Sequence, residues 1–84
     1  MKHHSHPAIL RRLKRTHGHL RAVIEMLEDK RPCLDLAQQL HAVEKALGSA
    51  KRELIHDHLE HCLEGPGVNT KVALREIKQL AKYL

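Results

Sequence analysis

The sequence predicts an all-α fold of three helices, on three observations. Aromatic residues make up 1% of the 84-residue chain, with Tyr83 the only one, and the apolar positions are mostly Leu, Ala, Ile and Val, a set that suits helix packing better than a pleated sheet. Those positions recur in steps of three and four, the period of an amphipathic helix. The prolines stand where such helices would begin or be cut, at Pro7, Pro32 and within Gly65-Pro66-Gly67.

The first helix is expected to start with Ser5 or His6 as its cap and Pro7 at the first helical position, where a missing N–H costs nothing. Leu10, Leu13, His17, Leu20, Ile24 and Leu27 then form a heptad-like seam. Gly18 sits inside that stretch and weakens the helix by about 1 kcal/mol relative to Ala, so a close approach by another backbone or by nucleic acid is the reading that explains it. The helix should end near Asp29, followed by the polar turn Lys30-Arg31-Pro32.

Pro32 restarts the chain, and Leu36, Leu40, Val43, Leu47, Ala50 and Leu54 form a second seam that runs on to His58 and Cys62. With no proline before Pro66, the second helix should be roughly 30 residues and about 45 Å long, far above the usual 11 to 12 residues. A helix that long in a chain this small needs cover from another subunit. The segment Ala46-Leu47-Gly48-Ser49-Ala50 at its centre is small enough for two copies to cross closely, so an antiparallel two-fold axis is expected near Gly48. Asn69 is placed to cap a short third helix with Val72, Ala73, Ile77, Leu80 and Leu84 as its apolar stripe, covering the far end of the second. The reading is a single domain over 1–84 with a flexible His-rich start over 1–6. Its assembly would be an antiparallel four-helix-bundle dimer.

Charge points to the partner. Lys and Arg total 15 against 10 Asp and Glu, a formal charge of +5, and such a surplus favours an anion, nucleic acid above all. Arg11, Arg12, Lys14, Arg15 and Arg21 form one cationic stretch of the first helix with no acid before Glu25, joined by Lys51 and Arg52 on the second. Phosphate contacts made by such a stretch depend strongly on salt. No recognition helix of the helix-turn-helix kind is evident, so an oligomer reading DNA shape over a wide surface is the better expectation. The absence of a long apolar run and of a signal-peptide core argues for a cytoplasmic protein without a membrane partner. Two cysteines in a reducing compartment are then ligands or reactive thiols before they are a disulfide.

Cys33, His58 and Cys62 supply the chemistry. His58 and Cys62 are four residues apart on one helix face, whereas Cys33 starts the same helix about 37 Å from His58 at 1.5 Å per residue. One chain cannot close that gap, but two antiparallel copies bring each Cys33 beside the partner's His58 and Cys62, giving two S, N, S sites suited to copper, nickel or zinc. Singly, each ligand has a bland reading as a packed residue; their convergence under the dimer geometry is what lifts them. His3, His4 and His6 could add a further nitrogen, or be a solvated or tag-derived end. His56, Asp57, Glu60 and His61 could orient ligands. No nucleophile elbow, P-loop or usefully spaced carboxylate pair supports an enzyme.

The segments Arg11-Arg12-Leu13-Lys14-Arg15, Gly18-His19-Leu20, Pro32-Cys33-Leu34, Gln38-Gln39-Leu40 and His58-x-x-x-Cys62 resemble the CsoR/RcnR family of bacterial metal-sensing repressors over nearly the whole chain, most of all the nickel-resistance members called NreA. The resemblance implies helical dimers that pair into flat tetramers, bind double-stranded operator DNA of metal-efflux genes and release it on binding metal. It implies Cys33, His58 and Cys62 as ligands and Arg12, Lys14, Arg15 and Arg52, with Arg11 beside them, as the DNA-contacting set. The Cys, His, Cys pattern occurs in copper(I) sensors and in a nickel sensor that adds an N-terminal histidine. Pro32 stands where copper sensors often carry Tyr, and His3, His4 or His6 could complete a four-coordinate N,S site, so Ni(II) is the expected inducer and Cu(I) the alternative. A thiol redox sensor pairing Cys33 with the partner's Cys62, and a metal-storage protein, are the readings from other classes.

Overall fold

The computed structural model describes the backbone of residues 6–63 and 70–84, and their side chains except at 62 and 63. His3, His4, Ser5, Asn69, the 65–67 run and the Cys62 side chain therefore lie outside the described residues. Three helices account for the fold: α1 (His6–Glu28), α2 (Cys33–Leu63) and α3 (Thr70–Ala81). There is no strand among the described residues.

The α1–α2 connection is a helix stop followed at once by a helix start. Lys30 takes a left-handed conformation at φ 57°. The Arg31 N–H then reaches the Met26 carbonyl at 3.1 Å and the Lys30 N–H the Leu27 carbonyl at 3.1 Å, the two bonds of a Schellman ending. The Pro32 carbonyl accepts from the Leu36 N–H at 3.1 Å, so Pro32 stands at the cap position of α2 and its missing donor is no loss. Asp35 in the first turn suits the positive end of the helix and lies 3.8 Å from Arg31.

The short turn folds α1 antiparallel onto α2, with Arg12 opposite Glu53 and His19 opposite Gln39. The buried line is Ile9, Thr16 and Val23 on α1 against Leu36, Val43 and Ala50 on α2, each set spaced by seven, with Met26 packed against it. Thr16 is tolerated there because its hydroxyl donates to the Arg12 carbonyl at 2.9 Å.

This line departs from the expected seams in one respect. Leu10, Leu13, Leu20, Ile24 and Leu27 of α1 and Leu40, Leu47 and Leu54 of α2 stay 39–64% exposed. Each helix has an apolar arc wider than one stripe: the compact side chains fill the narrow α1–α2 seam, and the leucines stand on one side of it as a second, uncovered face. At the Cα level the chain measures 56 × 23 × 13 Å, a single layer of helices that cannot wrap this face by itself.

The small residues at mid-α2 also have surroundings within the chain itself. Ala50 packs in the α1–α2 core, and Ala46 and Ser49 line a cleft beside α1. Gly48 turns away from α1, and a Cβ there would meet Arg52 Nη1 at 3.3 Å. The residue of the central segment on the uncovered face is Leu47. Around Gly18 nothing lies within 4 Å of where a Cβ would be, so the chain's own fold does not require a glycine there.

Candidate metal centre and nucleic-acid interface

At 100° per residue, Cys33, Leu40, Leu47 and Leu54 follow one another at intervals of seven, and His58 comes one turn after Leu54. The candidate ligands at both ends of α2 thus fall on the same uncovered face as the leucines. Cys33 is exposed at the first residue of the helix. The unbroken 31-residue helix keeps Cys33 and His58 of one chain far apart.

His58 is the ligand candidate whose surroundings are best defined. Its Nε2 lies 3.1 Å from Glu76 Oε2 of α3. A ring N–H donated to that carboxylate fixes the tautomer and makes Nδ1 the nitrogen with a lone pair to offer. Glu76 escaped the sequence reading. It stands between Ala73 and Leu80 on the inward side of α3, and a carboxylate in an apolar stripe was the sign that could have exposed it.

His6, at the start of α1, arrives at the same end of the molecule. It lines, together with Leu54, Ile55, His58, Glu76 and Leu80, a cavity of about 660 Å³, and its Nε2 is 3.9 Å from Asp57 Oδ2. Asp57 is 7% exposed and holds His61 as well, whose Nδ1 is 2.7 Å from the Asp57 carbonyl and 3.2 Å from Oδ1. Of the four residues expected to orient ligands, Asp57 and His61 are thus packed and partnered, whereas His56 and Glu60 are exposed.

The opposite side of the α1–α2 seam is polar. Arg12, Arg15 and His19 of α1 face Gln39, Ala46, Ser49 and Glu53 of α2 across it. Arg12 Nη1 donates to Glu53 Oε2 at 2.6 Å and to Ser49 Oγ at 3.3 Å, and His19 Nε2 lies 2.6 Å from Gln39 Oε1. Arg11, Lys14 and Arg15 are exposed on the outer surface of α1 around Gly18, and Arg52 lies one step beyond Ser49 on α2. Lys51, by contrast, shares a face with Leu47 and Leu54 and falls on the leucine side. No helix among the described residues is long and apolar enough to cross a membrane.

The chain is thus a small all-helical protein with candidate thiol and imidazole ligands on one face of α2 and a cationic surface on the other side of the α1–α2 seam. The chain belongs to the CsoR/RcnR family, since residues 5–84 match the family model described as metal-sensitive transcriptional repressor. It is 40% identical over 81 residues to the copper-sensing transcriptional repressor CsoR of Mycobacterium ulcerans (strain Agy99), covering 90% of this chain and 67% of that one. It is also 36% identical over 69 residues to the copper-sensing transcriptional repressor RicR of Mycobacterium tuberculosis (strain ATCC 25618 / H37Rv), covering 75% and 72%. A solved structure of the nickel-responsive transcriptional regulator InrS superposes with a TM-score of 0.85 at 30% identity, over 100% of this chain and 98% of that one. The chain spans about two thirds of the length of the CsoR relatives it matches.

Proposed function

We propose that the chain is a transcriptional repressor that binds operator DNA through the cationic side of its α1–α2 hairpin and releases it when Ni(II) occupies a site shared between two protomers. Cys33 of one protomer and the partner's His58 and Cys62 would be the ligands. The observation that carries this reading is the placement of Cys33 and His58 at opposite ends of one unbroken helix, on its uncovered leucine face. Packing two such faces antiparallel about Leu47 covers the leucines and closes both sites in one step. The donor set fits: a solvent-accessible thiol, an imidazole oriented by Glu76, and a second cysteine one turn beyond it on the same helix. When bound, the metal would supply a tie between the two α2 helices. Because Arg12 with Glu53 and His19 with Gln39 join α1 to α2, a shift of α2 carries the cationic side with it and changes its fit to phosphates.

Nickel is favoured by His6, which stands on the wall of the cavity that also reaches His58 and offers a fourth donor. Copper(I) is the second reading, supported by the copper-sensing relatives and by the sufficiency of three ligands for that ion. The test is a titration of the reduced protein with Ni(II) and, separately, Cu(I), followed by absorption and run beside retention of duplex DNA from its own upstream region. The expected result is one ion per chain and a loss of DNA affinity of about 5- to 150-fold, the usual range of such coupling. Thiolate charge-transfer bands would mark nickel. Tight metal binding with no change in DNA affinity would contradict the switch.

A further inference from the structure

Arg12 sits in the longest cationic stretch of the chain, yet among the described residues it is the one member whose guanidinium is taken up by an acid on the other helix. The 2.6 Å contact with Glu53 joins two half-exposed side chains, 49% and 34% accessible, and ion pairs of that exposure contribute little to stability. Beside it runs a cleft of about 170 Å³ lined by Arg12, Arg15, Thr16, Ala46 and Ser49. Arg15 makes no ion pair among the described residues. Arg12 and Arg15 are three residues apart, close enough on a helix for their charges to repel.

We propose that this cleft is a subsite for one phosphate group of the DNA backbone, and that Glu53 is its internal stand-in. The proposal rests on the DNA-binding reading above and adds to it a particular site with a built-in competitor. In the free protein the Glu53 carboxylate offsets the charge of the Arg12–Arg15 pair and holds the Arg12 fork against Ser49. A phosphate entering the cleft offers the same charge-assisted bonds in the geometry a guanidinium prefers, with Arg15 and the Ser49 hydroxyl as further donors. Glu53 must then be displaced, so part of each binding event is spent breaking the Arg12–Glu53 contact.

The test is a double-mutant cycle on DNA affinity, using duplex from the chain's own upstream region at several salt concentrations. Glu53→Gln keeps the size and one hydrogen bond to Arg12 but removes the charge. It is expected to tighten binding about three- to tenfold at low salt while leaving the log K against log salt slope nearly unchanged, because the same phosphate contact is made in both proteins. In the Arg12→Ala background the same change should have almost no effect, because the contact it relieves is gone. Glu28→Gln alters net charge equally but lies about 24 Å along α1 from Arg12 at 1.5 Å per residue, and should change affinity less than twofold. Helix content by circular dichroism and metal affinity should match the wild type. An unchanged affinity for Glu53→Gln, or an equal gain in the Arg12→Ala background or from Glu28→Gln, overturns the subsite while leaving the DNA-binding reading intact. Failure of the wild-type protein to retain duplex DNA at low salt overturns both.

Discussion

Leu47 offers the clearest test of the uncovered face. It is 46% exposed, while its neighbours one turn away along the helix, Val43 and Ala50, are 5% and 3% exposed in the α1–α2 core. Complete burial of a leucine side chain is worth about 1.5–3 kcal/mol, so the half still open can contribute about 1 kcal/mol when a partner covers it. A two-fold interface contains the residue twice, so Leu47→Ala should cost about 2 kcal/mol per dimer, or roughly 30-fold in the dissociation constant. Leu40 and Leu54, at 48% and 42% exposed, should behave alike, and the three substitutions together should leave no stable dimer at micromolar concentration. The assay is sedimentation velocity over a dilution series, with thermal unfolding at each concentration, because an obligate dimer melts at a concentration-dependent temperature. A dissociation constant within twofold of wild type for Leu47→Ala would show that this face is not where two copies meet. The metal site would then need a different geometry.

Two further predictions concern single residues. Glu76→Gln leaves all three proposed ligands in place but loosens the hold on the His58 ring, and should weaken metal binding by about 10- to 100-fold; a titration curve superimposable on wild type would remove Glu76 from the site. Lys30→Gly relieves a left-handed backbone at a non-glycine residue and should raise stability by about 0.5–1 kcal/mol after allowing for the greater freedom of glycine in the unfolded chain; denaturant unfolding showing a loss of stability would mean that the Lys30 side chain makes a contact worth more than the strain.

The boundaries of α1 and the start of α2 were legible because proline placement and apolar period agree, whereas the end of α3 was not: Leu84, assigned to its stripe, lies beyond Ala81. The seam assigned to α1 was not legible either, since the step pattern of Leu13, Leu20 and Leu27 is as regular as that of Ile9, Thr16 and Val23, and periodicity alone cannot tell which stripe meets the same chain and which meets another. Thr16 made the inner stripe look polar, although its hydroxyl is satisfied within its own helix. The placement of Cys33 and His58 at opposite ends of one helix was readable, because separation along a helix is a matter of rise per residue. Glu76, Ser49 and Glu53 were not readable, because their roles depend on which helix packs beside which. Nor was the setting of Gly48 readable, since what lies beside it, the Arg52 side chain, depends on how that side chain folds back along α2.

The central claim is that each metal site is assembled from two chains, and mixed dimers test it directly. Cys33→Ala and the double variant His58→Ala/Cys62→Ala should each bind no metal tightly. Unfolded together in equal amounts and refolded, they should form half mixed dimers, each with one intact site, and so recover about a quarter of the wild-type metal capacity. Recovery near that fraction, rising with the share of mixed dimers, is the result the shared site predicts; no recovery in a mixture shown to contain mixed dimers would contradict it.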